Sequence, residues 1–271
     1  MTLTPVIRYV SLGDSFSEGI GDEDPDGLWG WPGRVARTLA SSGAAHVQYA
    51  NMAVRGRTFS GVLPQVDQAL ALQPQPTLMT ICAGGNDLLR PRLDVAVLAH
   101  QMHQLLQRVL DAGVRPLLLT PADPSRGLPM GRLIHARGDQ LAAAFVHVAH
   151  ELAVDVVDVS RDTALRAREF WGPDRLHLNA AGHERVAAAV IAALTGSRSL
   201  DDAALATSTA GAAGAVPKRP TMVEELQYAR DYFLPWVGRR LTGRSSGDGR
   251  SARHPNWVDV PAGGPQPAPP A

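Results

Sequence analysis

The sequence predicts an α/β fold, a three-layer α/β/α sandwich built around a five-stranded parallel sheet. Two observations carry this prediction. Short apolar runs alternate along the chain with longer segments of helical periodicity, which is typical of a parallel sheet covered by helices. With 271 residues, 45% of them hydrophobic and 19% charged, the chain is long enough for one α/β domain with an appendage but short for two full domains.

The elements follow in order as five βα units. The short apolar runs are the predicted strands, at Val6–Leu12, His46–Ala50, Thr77–Ala83, Val114–Thr120 and Val154–Val159. The longer amphipathic segments between and after them are the predicted helices, at Trp31–Ser42, Gly61–Leu72, Asp94–Ala112, Gly131–Leu152 and Ala180–Leu194.

Composition divides the rest of the chain from this predicted domain, which spans residues 1–196. Residues 197–220 are rich in Ala, Ser, Thr and Gly and are predicted to be a flexible linker. Residues 243–271 are rich in Gly, Pro, Ser and Arg and are predicted to be a disordered tail.

Residues 221–242, between linker and tail, are predicted to form an amphipathic helical segment, with a kink or break at Pro235. Docking on the domain or on a second subunit is the first interpretation. A lid or a membrane-surface segment is the alternative, suggested by Trp236 beside Arg239 and Arg240. The apolar residues at helical spacing are Met222, Leu226, Ala229, Phe233, Val237 and Leu241.

Charge and cysteine content exclude several classes. The 26 basic residues balance the 26 acidic ones, so we expect no nucleic-acid partner. The single cysteine, Cys82, allows no intramolecular disulfide and is predicted to be buried in its apolar run. No segment is apolar enough for a membrane span, and Met1–Leu12 lacks the pattern of a secretory leader. We therefore expect a cytoplasmic protein.

Polar or glycine-bearing turns follow the predicted strands. Ligands of open parallel sheets bind beyond the carboxyl ends of the strands, so these turns are expected to meet at one edge. They are Gly13-Asp14-Ser15, the segment Asn51 to Gly56, Gly84-Gly85-Asn86-Asp87, and Asp174-Arg175-Leu176-His177.

The residue types in these turns suit nucleophilic catalysis. A serine hydroxyl needs an adjacent base, and the base needs a third group to orient it. His177 can be the base for Ser15, and Asp174, three residues before it, can orient the imidazole. The backbone N–H groups of Ser15 and Gly56 and the side-chain amide of Asn86 are candidate donors to an oxyanion.

These motifs resemble those of the SGNH/GDSL hydrolases, the GDSL-like esterases and lipases, over roughly Val6 to Leu194. The resemblance implies a flavodoxin-like α/β/α catalytic domain that needs no metal or organic cofactor. It also implies a triad of Ser15, Asp174 and His177, with Ser15, Gly56 and Asn86 as the oxyanion hole. Phe16 stands where the family name has Leu, a position that the family varies.

The resemblance leaves the substrate open. A small-molecule carboxylic ester with a short acyl or acetyl group is the first expectation, with acetylated sugars, acyl-CoA thioesters and lysophospholipids as alternatives. A non-catalytic binding protein on the same fold and an acyltransferase that uses another alcohol are the rival functions. The aromatic residues considered as lining for an acyl or sugar site are Trp29, Trp31 and Trp171.

Other motifs are weaker. The sequence Gly243-Arg244-Ser245-Ser246-Gly247 has the spacing of a nucleophile elbow but lacks the strand before it and the helix after it. The pairs His100/His103 and His147/His150 have one-turn spacing but no convergent third ligand, so they are interpreted as solvated helix faces rather than metal ligands. His183 is predicted to belong to the helix after the Asp174–His177 turn.

Overall fold

The computed structural model describes residues 6–25, 27–43, 46–196, 221–235, 238, 242 and 245–262. The strands are β1 (Val6–Leu12), β2 (His46–Asn51), β3 (Leu78–Cys82), β4 (Arg115–Leu119), β5 (Asp155–Val157) and β6 (His254–Val260). The α-helices are α1 (Ser15–Glu18), α2 (Gly30–Ser41), α3 (Phe59–Leu70), α4 (Val95–Asp111), α5 (Gly131–Glu151), α6 (Ala180–Thr195) and α7 (Met222–Tyr228).

The sheet has six strands in the order β5-β4-β3-β1-β2-β6. Strands β1 to β5 are parallel to their neighbours, and β6 runs antiparallel to β2. The predicted three-layer α/β/α class is therefore confirmed, while the predicted strand number of five is wrong by one. The order doubles back at β1, between β2 and β3, which is where open α/β sheets place their ligand crevice.

Two apolar clusters fill the space on the two faces of the sheet. One contains residues of α3, α4 and α5, including Phe59, Met102 and Phe145, and the other contains residues of α2 and α6, including Trp31 and Val190. Because both faces are covered, every residue of β3 is buried, which explains why four of its five residues are apolar. The fifth, Thr80, forms a hydrogen bond of 3.0 Å with the Tyr9 hydroxyl. Cys82, the last residue of β3, is buried as predicted.

Strand β6 corrects the prediction that residues 243–271 are a disordered tail. Val47 pairs with Val260 and Tyr49 with Val258, so β6 covers the edge that β2 would otherwise expose. Val260 is buried, and the Trp257 indole N–H donates to the Pro74 carbonyl at 2.8 Å. The seven-residue strand was not predicted because Gly, Pro and Ser residues lie on both sides of it.

The segment predicted at 221–242 is helical in its described part. The Thr221 hydroxyl and the Glu224 carboxylate form a capping box at the start of α7. A π-helical turn, Ala229–Phe233, follows α7, and the helix continues through Pro235. The predicted linker at 197–220, Trp236, Val237, Arg239, Arg240, Leu241 and residues 263–271 lie outside the described residues.

No helix in the described ranges combines the length and the apolar character that crossing a bilayer requires.

Candidate active site

A cavity of about 260 Å³ opens at the carboxyl ends of the parallel strands. All five residues predicted from the motifs line this one cavity: Ser15, Gly56, Asn86, Asp174 and His177. The residues come from four separate turns. The parallel sheet brings the turns of Ser15, Gly56 and Asn86 together because it places the ends of β1, β2 and β3 side by side. Asp174 and His177 lie between β5 and α6, beyond three 3-10 turns.

The turn after β1 presents Ser15 at the first position of α1. Gly13 before it has φ 150°, and a Cβ there would lie 2.5 Å from the Cys82 carbonyl oxygen, so only glycine fits this close approach. The buried Gln65 side chain holds both polar groups of Gly13, accepting from its N–H at 2.8 Å and donating to its carbonyl at 2.9 Å. The backbone under Ser15 is thereby fixed from the side of α3.

The Asp174–His177 pair has the geometry of a base and its orienting carboxylate. His177 Nδ1 lies 2.5 Å from Asp174 Oδ2, and Asp174 Oδ1 accepts from the backbone N–H of Leu176 and of His177. Burial alone would raise the pKa of Asp174, but these hydrogen bonds and the charge of His177 hold the pKa below its ordinary value. An ionised carboxylate only accepts, so Nδ1 carries a proton, and in the neutral form of the imidazole the lone pair is on Nε2.

Ser15 and His177 share the cavity without a hydrogen bond between Ser15 Oγ and the imidazole, within the contacts of the described residues. Such nucleophile–base bonds are often longer or poorly aligned before a substrate binds. The arrangement therefore provides a hydroxyl, an imidazole and an orienting carboxylate in one cavity, with no Ser15–His177 hydrogen bond among the described residues.

The Gly56 turn is held from both sides. Gly56 has φ 74°, and a Cβ there would collide with the Ser245 hydroxyl. On the other side, the buried Glu18 carboxylate accepts from the backbone N–H of Arg55 at 2.6 Å and also binds its guanidinium. This ion pair joins the turn to α1, so Gly56 and Ser15 are positioned by the same short helix.

The Asn86 amide is placed differently from its expected role as a free donor. Its Nδ2 donates to Asp14 Oδ2 at 2.9 Å and to the Arg57 carbonyl at 3.0 Å. An amide nitrogen has two hydrogens, so both have acceptors within the protein. An oxyanion at this position would share or replace one of those acceptors.

Asp14 is a site residue that the sequence analysis did not single out, although it belongs to the Gly-Asp-Ser motif. Its side chain is buried, and burial raises the pKa of Asp14 to about 6, against the opposing effect of the hydrogen bonds from Phe16 N–H and Asn86 and of the charge of His177. In contrast to Asp174, Asp14 is therefore a carboxyl group of the cavity whose charged form burial disfavours.

The C-terminal part of the chain also lines the cavity, through Tyr228, Asp231, Tyr232, Phe233, Pro235 and Ser246. Ser245, the serine of the weak nucleophile-elbow motif, lies in a turn and donates to the Gly56 carbonyl at 3.2 Å. It supports the Gly56 turn instead of standing between a strand and a helix. Docking on the domain was the first interpretation of residues 221–242, but the sequence spacing did not indicate that the segment would line this cavity.

The remaining candidates have structural environments. Trp31 is fully buried in the core. The Arg253 guanidinium lies over the ring of Trp29, 3.1 Å from its centre. Neither tryptophan lines the cavity. Trp171 does line the cavity, with its indole N–H donating to the Leu165 carbonyl at 2.6 Å. His147 pairs with Glu151, one helical turn away. Across the described ranges, no group of three or more His, Cys, Asp or Glu residues is arranged to hold a metal ion.

His183 lies in α6, as predicted, and is fully buried. Burial lowers the pKa of His183 to about 4, so the ring is neutral at pH 7. Its Nδ1 accepts from the Trp31 backbone N–H at 3.1 Å and its Nε2 donates to the Ile20 carbonyl at 3.1 Å. His183 thus joins α6 to the start of α2 and to the loop after α1.

Comparison with known proteins agrees with this geometry. The model of the GDSL-like Lipase/Acylhydrolase family matches residues 11–185. No curated protein matches the chain.

Solved structures similar to this chain include three that illustrate its fold. TesA is 24% identical, with a TM-score of 0.59 over 70% of this chain and 98% of TesA. A lipase/acylhydrolase from Enterococcus faecalis is 23% identical, with a TM-score of 0.57 over 70% of this chain and 96% of its own. A catalytic mutant of Axe2, an acetylxylan esterase from Geobacillus stearothermophilus, is 17% identical, with a TM-score of 0.59 over 72% of this chain and 96% of its own.

At these identities the structures show a shared fold, while the family model covers the turns that carry Ser15, Gly56, Asn86, Asp174 and His177. The chain therefore belongs to the GDSL-like lipase/acylhydrolase family, a family of carboxylic ester hydrolases.

Proposed function

We propose that this protein hydrolyses carboxylic esters through a Ser15–His177–Asp174 triad and a covalent acyl-enzyme. The observation that carries the proposal is the 2.5 Å contact between His177 Nδ1 and Asp174 Oδ2 in the cavity that Ser15 also lines. It leaves the Nε2 lone pair as the proton acceptor inside that cavity.

Acylation begins when Ser15 Oγ attacks the ester carbonyl carbon while His177 Nε2 takes the hydroxyl proton. Asp174 stabilises the imidazolium that forms. When the tetrahedral intermediate collapses, the bond to the leaving alkoxide breaks and His177 returns its proton to the alcohol. Water then attacks the acyl-enzyme with His177 as base, and the carboxylic acid leaves as the proton returns to Ser15 Oγ.

The tetrahedral intermediate carries a negative oxygen that needs donors. We propose the backbone N–H groups of Ser15 and Gly56, together with the Asn86 amide, as the oxyanion hole. The support is that these residues line the same cavity. Asn86 would take part by exchanging its bond to Asp14 or to the Arg57 carbonyl for one to the oxyanion.

Short-chain acyl esters are the substrates that we propose, and the mechanism as written needs no metal or organic cofactor. The test is the Ser15→Ala variant with p-nitrophenyl butyrate. We expect turnover to fall by at least about 10³-fold while the far-UV circular dichroism stays unchanged. Near-normal turnover would exclude Ser15 as the nucleophile.

Labelling by a fluorophosphonate probe separates an enzyme from a non-catalytic binding protein, because only an activated serine reacts. We expect the wild type to be labelled and Ser15→Ala not to be. Product analysis with a competing alcohol tests transfer to an acceptor other than water, and a thiol-release assay tests thioester cleavage.

A membrane contact through residues 221–242 is a separate proposal. Its support is the exposure of Met222, Val223, Leu226 and Leu234, whose exposed fractions are 81%, 63%, 65% and 59%. Co-sedimentation with vesicles of phosphatidylcholine and phosphatidylglycerol should retain the wild type and release Leu226→Ser. Equal sedimentation of both would contradict it.

We further propose a cytoplasmic location, supported by the buried single Cys82. Cell fractionation tests it.

A further inference from the structure

The described segment 221–235 lies beyond the residues matched by the family model, yet it forms part of the cavity wall. Three of its aromatic side chains line the cavity: Tyr228, Tyr232 and Phe233. The Tyr228 and Tyr232 rings stack with their centres 6.1 Å apart. This chain therefore adds a wall of its own to the site that the family motifs build.

The segment is attached directly to the loop of the triad. Arg175 lies between Asp174 and His177 and forms an ion pair with Glu225. Its Nη1 donates to Glu225 Oε2 at 3.0 Å, and its Nη2 lies 2.8 Å from Glu225 Oε1. The same guanidinium lies 4.0 Å from the ring centre of Tyr228. Arg175 holds this contact with its backbone at φ 59° and its side chain largely buried. The aromatic wall is thus fixed relative to His177.

Most other lining residues away from the triad are also apolar. They come from α1 and the loop after it, from the loop after β3, and from the β4–α5 connection and the first turn of α5. They include Phe16, Ile20, Leu88, Leu128 and Ile134. Asp231, an acidic lining residue on the segment, is bound by the Arg230 guanidinium. The cavity therefore provides few hydrogen-bond partners for the hydroxyl groups of a sugar. Burying such hydroxyl groups without hydrogen bonds is energetically unfavourable.

We infer that the segment 221–235 completes an apolar pocket for the acyl group of the ester, with Phe233 as a specificity-determining residue. The inference rests on the proposed ester hydrolysis at Ser15. Each methylene that leaves water for such a pocket contributes favourably to binding, so butyryl and hexanoyl esters are preferred over acetyl esters and over acetylated sugars.

The test measures kcat/KM of the full-length protein for p-nitrophenyl acetate, butyrate and hexanoate, which share one leaving group. The wild type should prefer hexanoate to acetate. Phe233→Ala should lower the hexanoate-to-acetate ratio by about tenfold, because the longer chain loses its contact while the acetyl group never reached it. Phe233→Trp, which narrows the pocket and keeps an aromatic ring in the wall, should move the preference towards acetate.

Leu226→Ala is the matched control, since Leu226 lies on the same segment, is 65% exposed and does not line the cavity. Its ratio should equal that of the wild type. An unchanged ratio in both Phe233 variants, with acetate turnover retained, would overturn the pocket but leave the proposed function intact. A wild type that hydrolyses none of the esters and resists the fluorophosphonate would overturn both.

Discussion

Asp14 Oδ2 accepts a hydrogen bond of 2.9 Å from the side-chain amide of Asn86 across 72 positions of sequence. The bond joins the turn that carries Ser15 to the turn after β3, and both residues line the same cavity. It gives the Asp of the Gly-Asp-Ser motif a task distinct from capping α1, because it orients an amide proposed to bind the oxyanion.

Replacing Asp14 by Asn should lower kcat/KM about tenfold, since the Asn86 amide loses a charged acceptor and its orientation. The effect should stay below the ~10²- to 10³-fold that follows removal of an oxyanion donor itself. Kinetics with p-nitrophenyl butyrate measure it, with the exposed Asp67→Asn as the control. Wild-type kinetics in Asp14→Asn would show that the bond has no part in turnover.

The raised pKa of Asp14 also predicts how stability depends on pH. The folded carboxyl has a pKa of about 6 and an ordinary value of 3.8, so the folded state binds the proton more tightly. This contribution is fully present below pH 4 and is lost as the pH rises through 6, by on the order of 3 kcal/mol. Urea titrations from pH 4 to 7 should show a steeper loss of unfolding free energy in the wild type than in Asp14→Asn.

Replacing Asp174 by Asn should lower kcat by about 10³- to 10⁴-fold, because a neutral amide cannot hold the His177 tautomer or stabilise the imidazolium. The control is Asp162→Asn, which removes another well-buried carboxylate that binds an arginine, Arg185, outside the cavity. That control should lose stability but keep its kcat. Equal kcat in both variants would argue against Asp174 as the orienting residue.

Replacing Gln65 by Leu should destabilise the fold by about 2 kcal/mol, because the buried N–H of Gly13 loses its acceptor. The carbonyl of Gly13 keeps a second partner, the Val54 N–H. The control is Gln68→Leu, because Gln68 is exposed and lies about one turn after Gln65 in α3. This change should alter the free energy of unfolding by less than about 0.5 kcal/mol. Urea denaturation of both variants measures the free energies of unfolding, provided that the dependence on urea concentration has the same slope as in the wild type. Equal stability of the two variants would contradict the role of Gln65.

Ending the chain at Ala252 removes β6, whereas ending it at Ala262 keeps the strand. The shorter chain should melt about 10 °C lower and should self-associate, because the edge of β2 is uncovered and Val260 no longer shields the core. Thermal scans and size-exclusion chromatography compare the two. Identical melting would mean that β6 adds no stability.

The turns that carry Ser15, Gly56 and Asn86 could be predicted to lie close together because each of them follows a parallel strand. A short apolar run predicts a strand, and parallel pairing brings the carboxyl ends of β1, β2 and β3 to one edge of the sheet, independently of the loop conformations. Ser15, Gly56 and Asn86 therefore line one cavity. Asp174 and His177 line it too, but three 3-10 turns separate them from β5, so the strand order alone does not place them there.

The partners of those residues were not predictable. The Glu18 bonds to Arg55 and the Asn86 bonds to Asp14 and Arg57 depend on loop conformations that no periodicity encodes. The antiparallel strand β6 was missed because its apolar residues are few and its neighbours are Gly, Pro and Ser. The aromatic wall at Tyr228 and Phe233 was not predicted, because the linker before the segment does not determine where on the domain the segment docks.

The pairing of β2 with β6 has a consequence for the order in which the sheet is completed during synthesis. Gln48 bonds to Asp259 across 211 positions, so the sheet gains this edge only after residues 254–260 have been made. The turn that supports Gly56 through Ser245 lies just before the same strand. During synthesis, the turns that carry Ser15 and Asn86 are therefore made well before the turn and strand that support Gly56 and the β2 edge.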